Sequence, residues 1–233
     1  MGSAGASPRP LRNWVHVCSA AIYPLRNLWK PRAGVDTELL DLTDRAAAAA
    51  WIAQIERITG GAVDVLVNNA GGVAVQQMRP IEEVPDADWD RIFAVNIGAA
   101  FTLSRAVATG MKQAGSGRII NISSGAGPGP SLTGIQAYCS AKHAVVGLTR
   151  QLAHELGPFG ITVNSVAPGF VRCNAASEKL WAGYGEEGQR ALVERIAMRR
   201  LGTAQDIANS VVFFASELAG FVNGQVLAVD GGK

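Results

Sequence analysis

The 233-residue chain has little cysteine, little histidine and little charge. Its three cysteines, Cys18, Cys139 and Cys173, lie far apart and form no C-x-x-C pair. That spacing argues against a disulfide scaffold and favours a reducing compartment, so we expect a cytoplasmic protein. The histidines show no metal-ligand spacing, so no metal site is predicted. They are His16, His143 and His154.

Long apolar runs are also missing. The longest nearly apolar stretch, Ser210 to Val222, is short and contains Glu217, so no membrane segment is predicted. A net charge of +2 gives no reason to expect nucleic acid. The 27 glycines follow no G-X-Y period, which excludes collagen. With 48% hydrophobic residues, the chain is long enough to bury one sizeable core.

Acidic residues are absent from positions 1–35, which carry five basic side chains. Residues 36–233 carry 16 basic and 19 acidic side chains, a balance typical of a globular enzyme body. We therefore expect residues 1–35 to be an atypical, poorly ordered basic segment and residues 36–233 to be one folded domain. One hypothesis is that residues 1–35 were read from the wrong frame of the gene.

From residue 36 onward, short β-branched runs alternate with helical stretches. Strands are predicted at 63–70, 118–122, 161–166 and 225–229, after a strand-like run at 14–18. Helices are predicted at 89–114, at 138–156 and from a capping box at Thr203–Asp206 to about residue 218, the first with Asp86 or Asp88 as N-cap. Repeated strand–helix–strand units predict an α/β fold, a single-domain parallel sheet covered on both faces.

The carboxyl ends of parallel strands are where ligands bind in such folds. In this chain those ends fall at residues 68–71, at Ser123–Ser124 and at Pro168–Gly169. Small residues there allow a ligand to approach the backbone closely. The sequence therefore predicts one crevice lined by these three segments.

Two titratable side chains stand one helical turn apart beside this crevice. Tyr138 and Lys142 are four residues apart and so share a helix face. A neighbouring ammonium lowers the pKa of a phenol, which makes Tyr138 a candidate acid and base. Ser124 could hydrogen-bond a substrate oxygen, with Ser123 as the alternative. Asn96 interrupts an apolar helix and needs a polar partner if it is buried, which a purely structural core amide would also satisfy.

Six short motifs follow one another along the chain. They are Asn-Asn-Ala-Gly at 68–71, Val-Asn-Ile-Gly at 95–98, Asn-Ile-Ser-Ser at 121–124, Tyr-Cys-Ser-Ala-Lys at 138–142, Asn-Ser-Val-Ala-Pro-Gly at 164–169 and Val-Asp-Gly-Gly at 229–232. This series resembles the short-chain dehydrogenase/reductases from about Asp41 to the end of the chain. The resemblance implies a doubly wound, Rossmann-like sheet. It also implies hydride transfer between NAD or NADP and an alcohol or carbonyl substrate.

The resemblance also implies roles for individual residues. Tyr138 would exchange a proton with the substrate oxygen, and Lys142 would bind the nicotinamide ribose and lower the Tyr138 pKa. Ser124 would orient the substrate oxygen, and Asn96 would hold a proton-relay water. The remaining cofactor contacts implied are Asp41 and Leu42 to adenine, Asn69, Ala70 and Gly71 to the adenosine-side ribose, and the Val171 backbone to the carboxamide.

The family's glycine-rich cofactor motif is missing. The run after residues 14–18, Ser19 to Pro24, contains no glycine, although that loop should hold the pyrophosphate at a helix N-terminus. Two βα units do not fit before Asp41, so the fold is expected to lack about one N-terminal βα unit. Two further hypotheses therefore stand beside the oxidoreductase. One is a cofactor-independent hydrolase of esterase or lactonase type that uses Ser124 or Tyr138, and the other is a non-catalytic scaffold subunit.

The partners expected are a small-molecule alcohol or carbonyl substrate and further copies of this chain. Helices 89–114 and 138–156 match those that pair subunits in the family, so the resemblance implies a homodimer or homotetramer. Neither nucleic acid nor a membrane is an expected partner.

Overall fold

A five-stranded parallel sheet forms the centre of the protein. The computed structural model describes residues 14–17, 37–73 and 77–233. The strands pair side by side in chain order. They are β1 (Trp14–Val17), β2 (Val65–Asn68), β3 (Gly117–Ile122), β4 (Ile161–Pro168) and β5 (Val226–Val229).

Seven α-helices accompany the sheet in the described residues. They are α1 (Arg45–Thr59), α2 (Asp86–Phe93), α3 (Ala99–Ala114), α4 (Gln136–Leu156), α5 (Ala175–Gly183), α6 (Gly185–Glu194) and α7 (Ala204–Ala215). Short 3₁₀ turns lie at Ile81–Glu83, Gly157–Phe159 and Glu217–Ala219. Because the strands are parallel, every connection must cross back over the sheet, and the helices supply these crossovers.

Polar side chains cap several helix starts. Asp44 accepts hydrogen bonds from the backbone N–H groups of Ala46 and Ala47 at the start of α1. The predicted capping box at Thr203 and Asp206 is confirmed and opens α7. The predicted N-cap of α2 is wrong, because Asp86 and Asp88 lie inside the first helical turn and Pro85 precedes it. Their carboxylates then stabilise the helix through its dipole.

Helices cover both faces of the sheet. On one face, α1, α3 and α4 pack on the strands around Ile52, Leu103 and Ile119. On the other face, α7 packs through Phe214 and Ala215 on Val166 and its neighbours. The strands are apolar on both sides because both sides are buried. This arrangement confirms the single-domain, Rossmann-like parallel sheet.

The described sheet ends at β1. A doubly wound sheet places further strands beyond its first strand, and the described residues contain none there. The expectation of one βα unit fewer stays a prediction, because most residues before Asp41 lie outside the described part. Residues 14–17 belong to the segment predicted to be atypical, yet they form β1 and pair with Val65–Asn68. The rest of residues 1–35, including the glycine-free run Ser19 to Pro24, lies outside the described residues.

The predicted helix 89–114 is interrupted. Residues Ala94–Gly98 form a π-helical turn between α2 and α3. The whole stretch Asp86–Ala114 is long and apolar enough to cross a bilayer by length and composition. Its apolar side chains, however, include Leu103, Val107 and Met111, which belong to the core. Burial in the core therefore accounts for its hydropathy.

Phe214 should carry a large share of the stability on the α7 face. It is 2% exposed, whereas Phe221 is fully exposed. We expect Phe214→Ala to lower the free energy of unfolding by about 3–5 kcal/mol, because a cavity replaces a packed ring. Phe221→Ala, the matched control, should change it by less than about 0.5 kcal/mol. Equal losses in chemical denaturation would contradict this packing.

Candidate active site

The polar residues predicted to meet lie together at the carboxyl ends of three strands. Asn68, Asn121 and Ser165 are register partners on β2, β3 and β4. Beyond them, the Ser123 N–H donates to the Val166 carbonyl and the Gly125 N–H donates to the Pro168 carbonyl at 2.9 Å. Ser124 is therefore held between two fixed neighbours at this edge. The sheet register thus brings the predicted segments to the same edge of the sheet.

Tyr138 and Lys142 lie on one face of α4, in its first two turns. The Lys142 ammonium is 5.7 Å from the centre of the Tyr138 ring. It donates a hydrogen bond of 2.9 Å to the carbonyl of Ile122, the last residue of β3. Lys142 is only 5% exposed. The hydrogen bond therefore fixes the buried lysine against the strand that leads to Ser124.

The pKa of Tyr138 departs from the sequence-based expectation. It is raised above its usual value of 10, mainly because the phenol is buried, while a hydrogen bond with Ser124 acts in the opposite direction. The expected net lowering of the pKa is therefore wrong for this structure, since burial outweighs the hydrogen bond with Ser124. The consequence is that Tyr138 holds its proton at neutral pH and can act as a proton donor.

Burial has the opposite effect on Lys142. It lowers the pKa of the ammonium from 10.5 to about 8, because the charged form loses its hydration. No salt bridge of the described residues includes Lys142. The ammonium is still mostly protonated at neutral pH and is charged beside the Tyr138 ring.

The two adjacent serines have different roles. Ser123 is 3% exposed, donates to the Val166 carbonyl and accepts a hydrogen bond from Ser165. Ser124 is less buried, accepts from the Ala126 N–H at 3.2 Å and pairs with the Tyr138 phenol. Ser124 is therefore the serine placed for substrate, and Ser123 belongs to the core.

Asn96 clamps the segment that follows β2. It lies in the π turn and is 1% exposed. Its side-chain N–H₂ donates to the carbonyls of Gly72 and Ile92, and its side-chain oxygen accepts from the Gly72 N–H. Both amide hydrogens are used, so the side chain has none left to hold the predicted relay water. A π turn commonly marks a functional position in a helix, and here it aims Asn96 at Gly72.

Gly71 has no room for a side chain. A Cβ there would collide with the Asn96 oxygen and lie 3.3 Å from the Lys142 nitrogen. Its φ of +148° and that of Gly72, +142°, also lie in the region that favours glycine. The glycine pair lets the backbone pass directly over the side chains of Asn96 and Lys142.

The other predicted cofactor contacts vary in exposure. Asn69 is exposed and Ala70 is partly buried at the edge of the core. Asp41 is exposed and accepts two hydrogen bonds from Thr43, whereas the Leu42 side chain is 5% exposed within the core. Asp41 is thus the more accessible of the two for adenine.

The residues present fit the nicotinamide half of a dinucleotide. The cradle is the Gly71 backbone, which lies against the Lys142 nitrogen and the Asn96 oxygen because no Cβ stands between them. Val171, predicted to contact the carboxamide, is held by a parallel bridge to Gly202. Among the described residues no group of three or more histidine, cysteine or acidic side chains is placed to hold a metal ion.

Sequence reasoning missed a buried hydrogen-bond chain behind this site. Asn68 donates to Asn121 at 2.8 Å, Asn121 donates to Thr149 at 2.9 Å, and Thr149 donates to the Val145 carbonyl. The chain ties β2 and β3 to α4, two turns after Lys142. The signal available in the sequence was one polar residue inside each apolar run, which requires a partner when buried.

A buried tyrosine–lysine pair at the strand ends of a parallel sheet defines an α/β protein with an acid–base site. A family model described as enoyl-(acyl carrier protein) reductase matches residues 28–233. The chain belongs to the short-chain dehydrogenase/reductase family, which confirms the resemblance of its motifs and the oxidoreductase class.

Individual relatives match this chain over most of its length. Gluconate 5-dehydrogenase of Gluconobacter oxydans is 38% identical over 196 residues, 84% of this chain and 73% of that protein. The BbsD subunit of (2S)-[(R)-hydroxy(phenyl)methyl]succinyl-CoA dehydrogenase from Thauera aromatica is 42% identical over 74% of this chain, which spans only 66% of that protein. A crystal structure assigned as a gluconate 5-dehydrogenase from Beutenbergia cavernae has a TM-score of 0.77, 41% identity, and coverage of 84% and 76% of the two chains.

The Gly71 cradle can be tested by adding one methyl group. We expect Gly71→Ala to weaken NADH binding at least about tenfold, because the new Cβ displaces Asn96 and Lys142. Gly72→Ala is the control for backbone strain, since it shares the positive φ but meets no atom within 4 Å. Both variants should lose about 1–3 kcal/mol of stability. Equal weakening of NADH binding by the two would rule out the specific collision.

The burial of Lys142 should appear in the pH dependence of stability. The unfolded chain keeps this proton up to pH 10.5, whereas the folded protein loses it near pH 8. Between these values the unfolded state binds more protons, so the free energy of unfolding rises with pH. Relative to Lys142→Met, the wild type should gain roughly 2 kcal/mol between pH 8 and about pH 9.5. Parallel denaturation profiles for the two proteins would contradict a lowered pKa.

Proposed function

We propose that this chain is an NAD- or NADP-dependent oxidoreductase that interconverts an alcohol and a carbonyl compound. The observation that carries the proposal is the partly buried Tyr138, which pairs with Ser124 and lies beside the Lys142 ammonium at the strand ends. A protonated phenol next to a fixed hydroxyl is the arrangement needed to bind and protonate one substrate oxygen.

In the reducing direction, Tyr138 donates its proton to the carbonyl oxygen. Ser124 orients that oxygen, because its own oxygen accepts from the Ala126 N–H and its hydroxyl hydrogen can donate either to the substrate or to Tyr138. A bound reduced nicotinamide would supply the hydride that the carbonyl carbon accepts in this direction. Once the proton has left Tyr138, the phenolate faces the Ser124 hydroxyl and the Lys142 ammonium, which both stabilise its negative charge.

Lys142 and the glycine cradle would hold the cofactor. The ammonium is placed for ribose hydroxyls, because it lies at the Gly71 backbone and cannot reach bulk water. Asn69 and Ala70 would meet the adenosine-side ribose, Asp41 the adenine and the Val171 backbone the carboxamide. The glycine-rich pyrophosphate loop and the residue that separates NAD from NADP would belong to the N-terminal βα unit that the chain is expected to lack.

The named relatives support this substrate class. They include a gluconate 5-dehydrogenase and a 3α-hydroxysteroid dehydrogenase of Mediterraneibacter gnavus, which is 37% identical over 91% of this chain. One structural relative, 32% identical, was solved with NADP and tartrate. The two dehydrogenase names indicate a substrate with a hydroxyl group, and the structural relative indicates a nicotinamide cofactor. Nothing favours the hydrolase or the scaffold hypothesis over this function.

We also propose a homo-oligomer in the cytoplasm. Helices α3 and α4 are the expected pairing surfaces. On α3, Phe101 is 39% exposed with the Arg105 guanidinium stacked on its ring, an apolar surface with a charged border.

Cofactor titration tests the proposal directly. We expect NADH or NADPH to bind at micromolar to millimolar concentration, with enhanced nicotinamide fluorescence. Tyr138→Phe should retain this binding, because it removes only the hydroxyl, yet lose at least about 100-fold in kcat, since no other group replaces the proton donor. The proposal fails if neither cofactor binds at millimolar concentration, or if Tyr138→Phe is as active as the wild type.

A further inference from the structure

Three aromatic side chains gather in the segment that follows β4. The ring centre of Phe170 lies 6.0 Å from that of Trp181 and 6.1 Å from that of Tyr184. All three are only partly buried. Trp181 and Tyr184 come from the end of α5 and the start of α6, so the two helices meet over Phe170. We call these three residues the aromatic cluster.

The base of the cluster is fixed to the active site. Gly125, next to Ser124, donates to the Pro168 carbonyl, and Gly169 donates to the Val229 carbonyl at 3.0 Å. Phe170 follows directly, and Val171 is bridged to Gly202. Phe170 is therefore held between pinned neighbours, two residues beyond the carbonyl that positions the Ser124 loop.

Little core lies beneath these helices. Helix α5 has no buried residue, and Leu192 is the one buried residue of α6. Aromatic rings usually bury a large apolar area, but these three remain partly exposed. The helices must therefore be held in place by contacts other than a packed interior.

Arg172 and Glu178 supply such a contact. The guanidinium makes hydrogen bonds of 2.7 and 3.1 Å to the two oxygens of the Glu178 carboxylate. The same guanidinium lies 5.5 Å from the centre of the Trp181 ring. Arg172 is thus bidentate to the carboxylate and stacked on the indole, an arrangement that lysine cannot reproduce.

We propose that Arg172 and Glu178 form a latch that positions Trp181, and that the aromatic cluster selects substrates with an apolar ring. This proposal rests on the proposed oxidoreductase function and names its substrate class. Arg172 and Glu178 are positioning residues, because they act through Trp181. The rings of the cluster provide the surface on which a cyclic alcohol or ketone would pack.

Charge argues against an anionic substrate on this surface. The one cation in contact with the cluster, Arg172, is already neutralised by Glu178. Residues 170–194 carry three basic and four acidic side chains in total. A carboxylate-bearing substrate would meet a slight excess of negative charge, whereas an apolar ring would meet polarisable aromatic faces.

Substrate choice tests the selectivity of the cluster. With saturating cofactor, we expect kcat/KM for cyclohexanol to exceed that for gluconate about tenfold or more, and Trp181→Ala to abolish the difference. Trp181→Phe retains an aromatic face and should restore most of the preference. A wild-type preference for gluconate, or an unchanged ratio in Trp181→Ala, would overturn the assigned substrate class.

A second ion pair provides the matched control for the latch. Arg200 and Asp206 have the same spacing in sequence and are also bidentate, but they lie at the start of α7. We expect Glu178→Gln and Arg172→Lys to raise KM for cyclohexanol about threefold to tenfold while kcat and NADH affinity stay within about twofold. Asp206→Asn should leave this KM unchanged. An equal rise in Asp206→Asn would show that general loosening, and not the latch, is responsible.

Two measurements do not depend on turnover. Hydrogen exchange of residues 175–184 should be faster in Glu178→Gln than in the wild type and unchanged in Asp206→Asn. Saturation-transfer NMR should detect cyclohexanone on the wild type and lose the signal with Trp181→Ala. If NADH does not bind but both results hold, the oxidoreductase function fails and the latch stands. If NADH binds and both results are absent, the latch and its ring selectivity are wrong.

Discussion

The buried Lys142 ammonium constrains the residues around it at the carboxyl edge of the sheet. Lys142 has no carboxylate partner among the described residues, and its ammonium depends on the Ile122 carbonyl for its hydrogen bond. Burying an ammonium in this way is costly, and the lowered pKa of about 8 measures part of that cost. The neighbouring structure is arranged around it. Gly71 has no side chain because the Lys142 nitrogen and the Asn96 amide already occupy that space.

The Asn96 clamp shows how the fold supports this cation. The π turn at Ala94–Gly98 adds one residue to a stretch that would otherwise be a regular α-helix from 86 to 114. The clamp fixes both backbone polar groups of Gly72, so the chain leaving β2 stays against Lys142. The Asn68–Asn121–Thr149 chain performs the same task on the opposite side by tying α4 to two strands. The Asn96 clamp and the Asn68–Asn121–Thr149 chain therefore hold both the backbone and the side chains of the site in place.

Much of this fold could be predicted from local patterns. The apolar runs around Leu66, Ile119 and Val163 marked buried strands, and the Thr203–Asp206 capping box marked the start of α7, because both signals act within a few residues. The motifs also placed Ser124, Tyr138 and Lys142 at one edge of the sheet. The π turn and the Asn96–Gly72 clamp could not be predicted, since they depend on contacts across 24 residues. Helices α5 and α6 were missed because they lack the buried stripe that produces a helical period.

The segment that follows β4 is held less firmly than the carboxyl edge of the sheet. Phe170, Trp181 and Tyr184 are held by ring contacts and by one exposed ion pair, which contribute little to stability compared with a packed core. Segments that admit a substrate usually belong to the less stable parts of a protein. At the carboxyl edge, burial keeps the Tyr138 proton in place. Burial also lowers the pKa of Lys142 to about 8, yet the ammonium stays mostly charged at neutral pH. The resting protein is therefore already protonated for carbonyl reduction, whereas alcohol oxidation requires Tyr138 first to release a proton against the effect of its own burial.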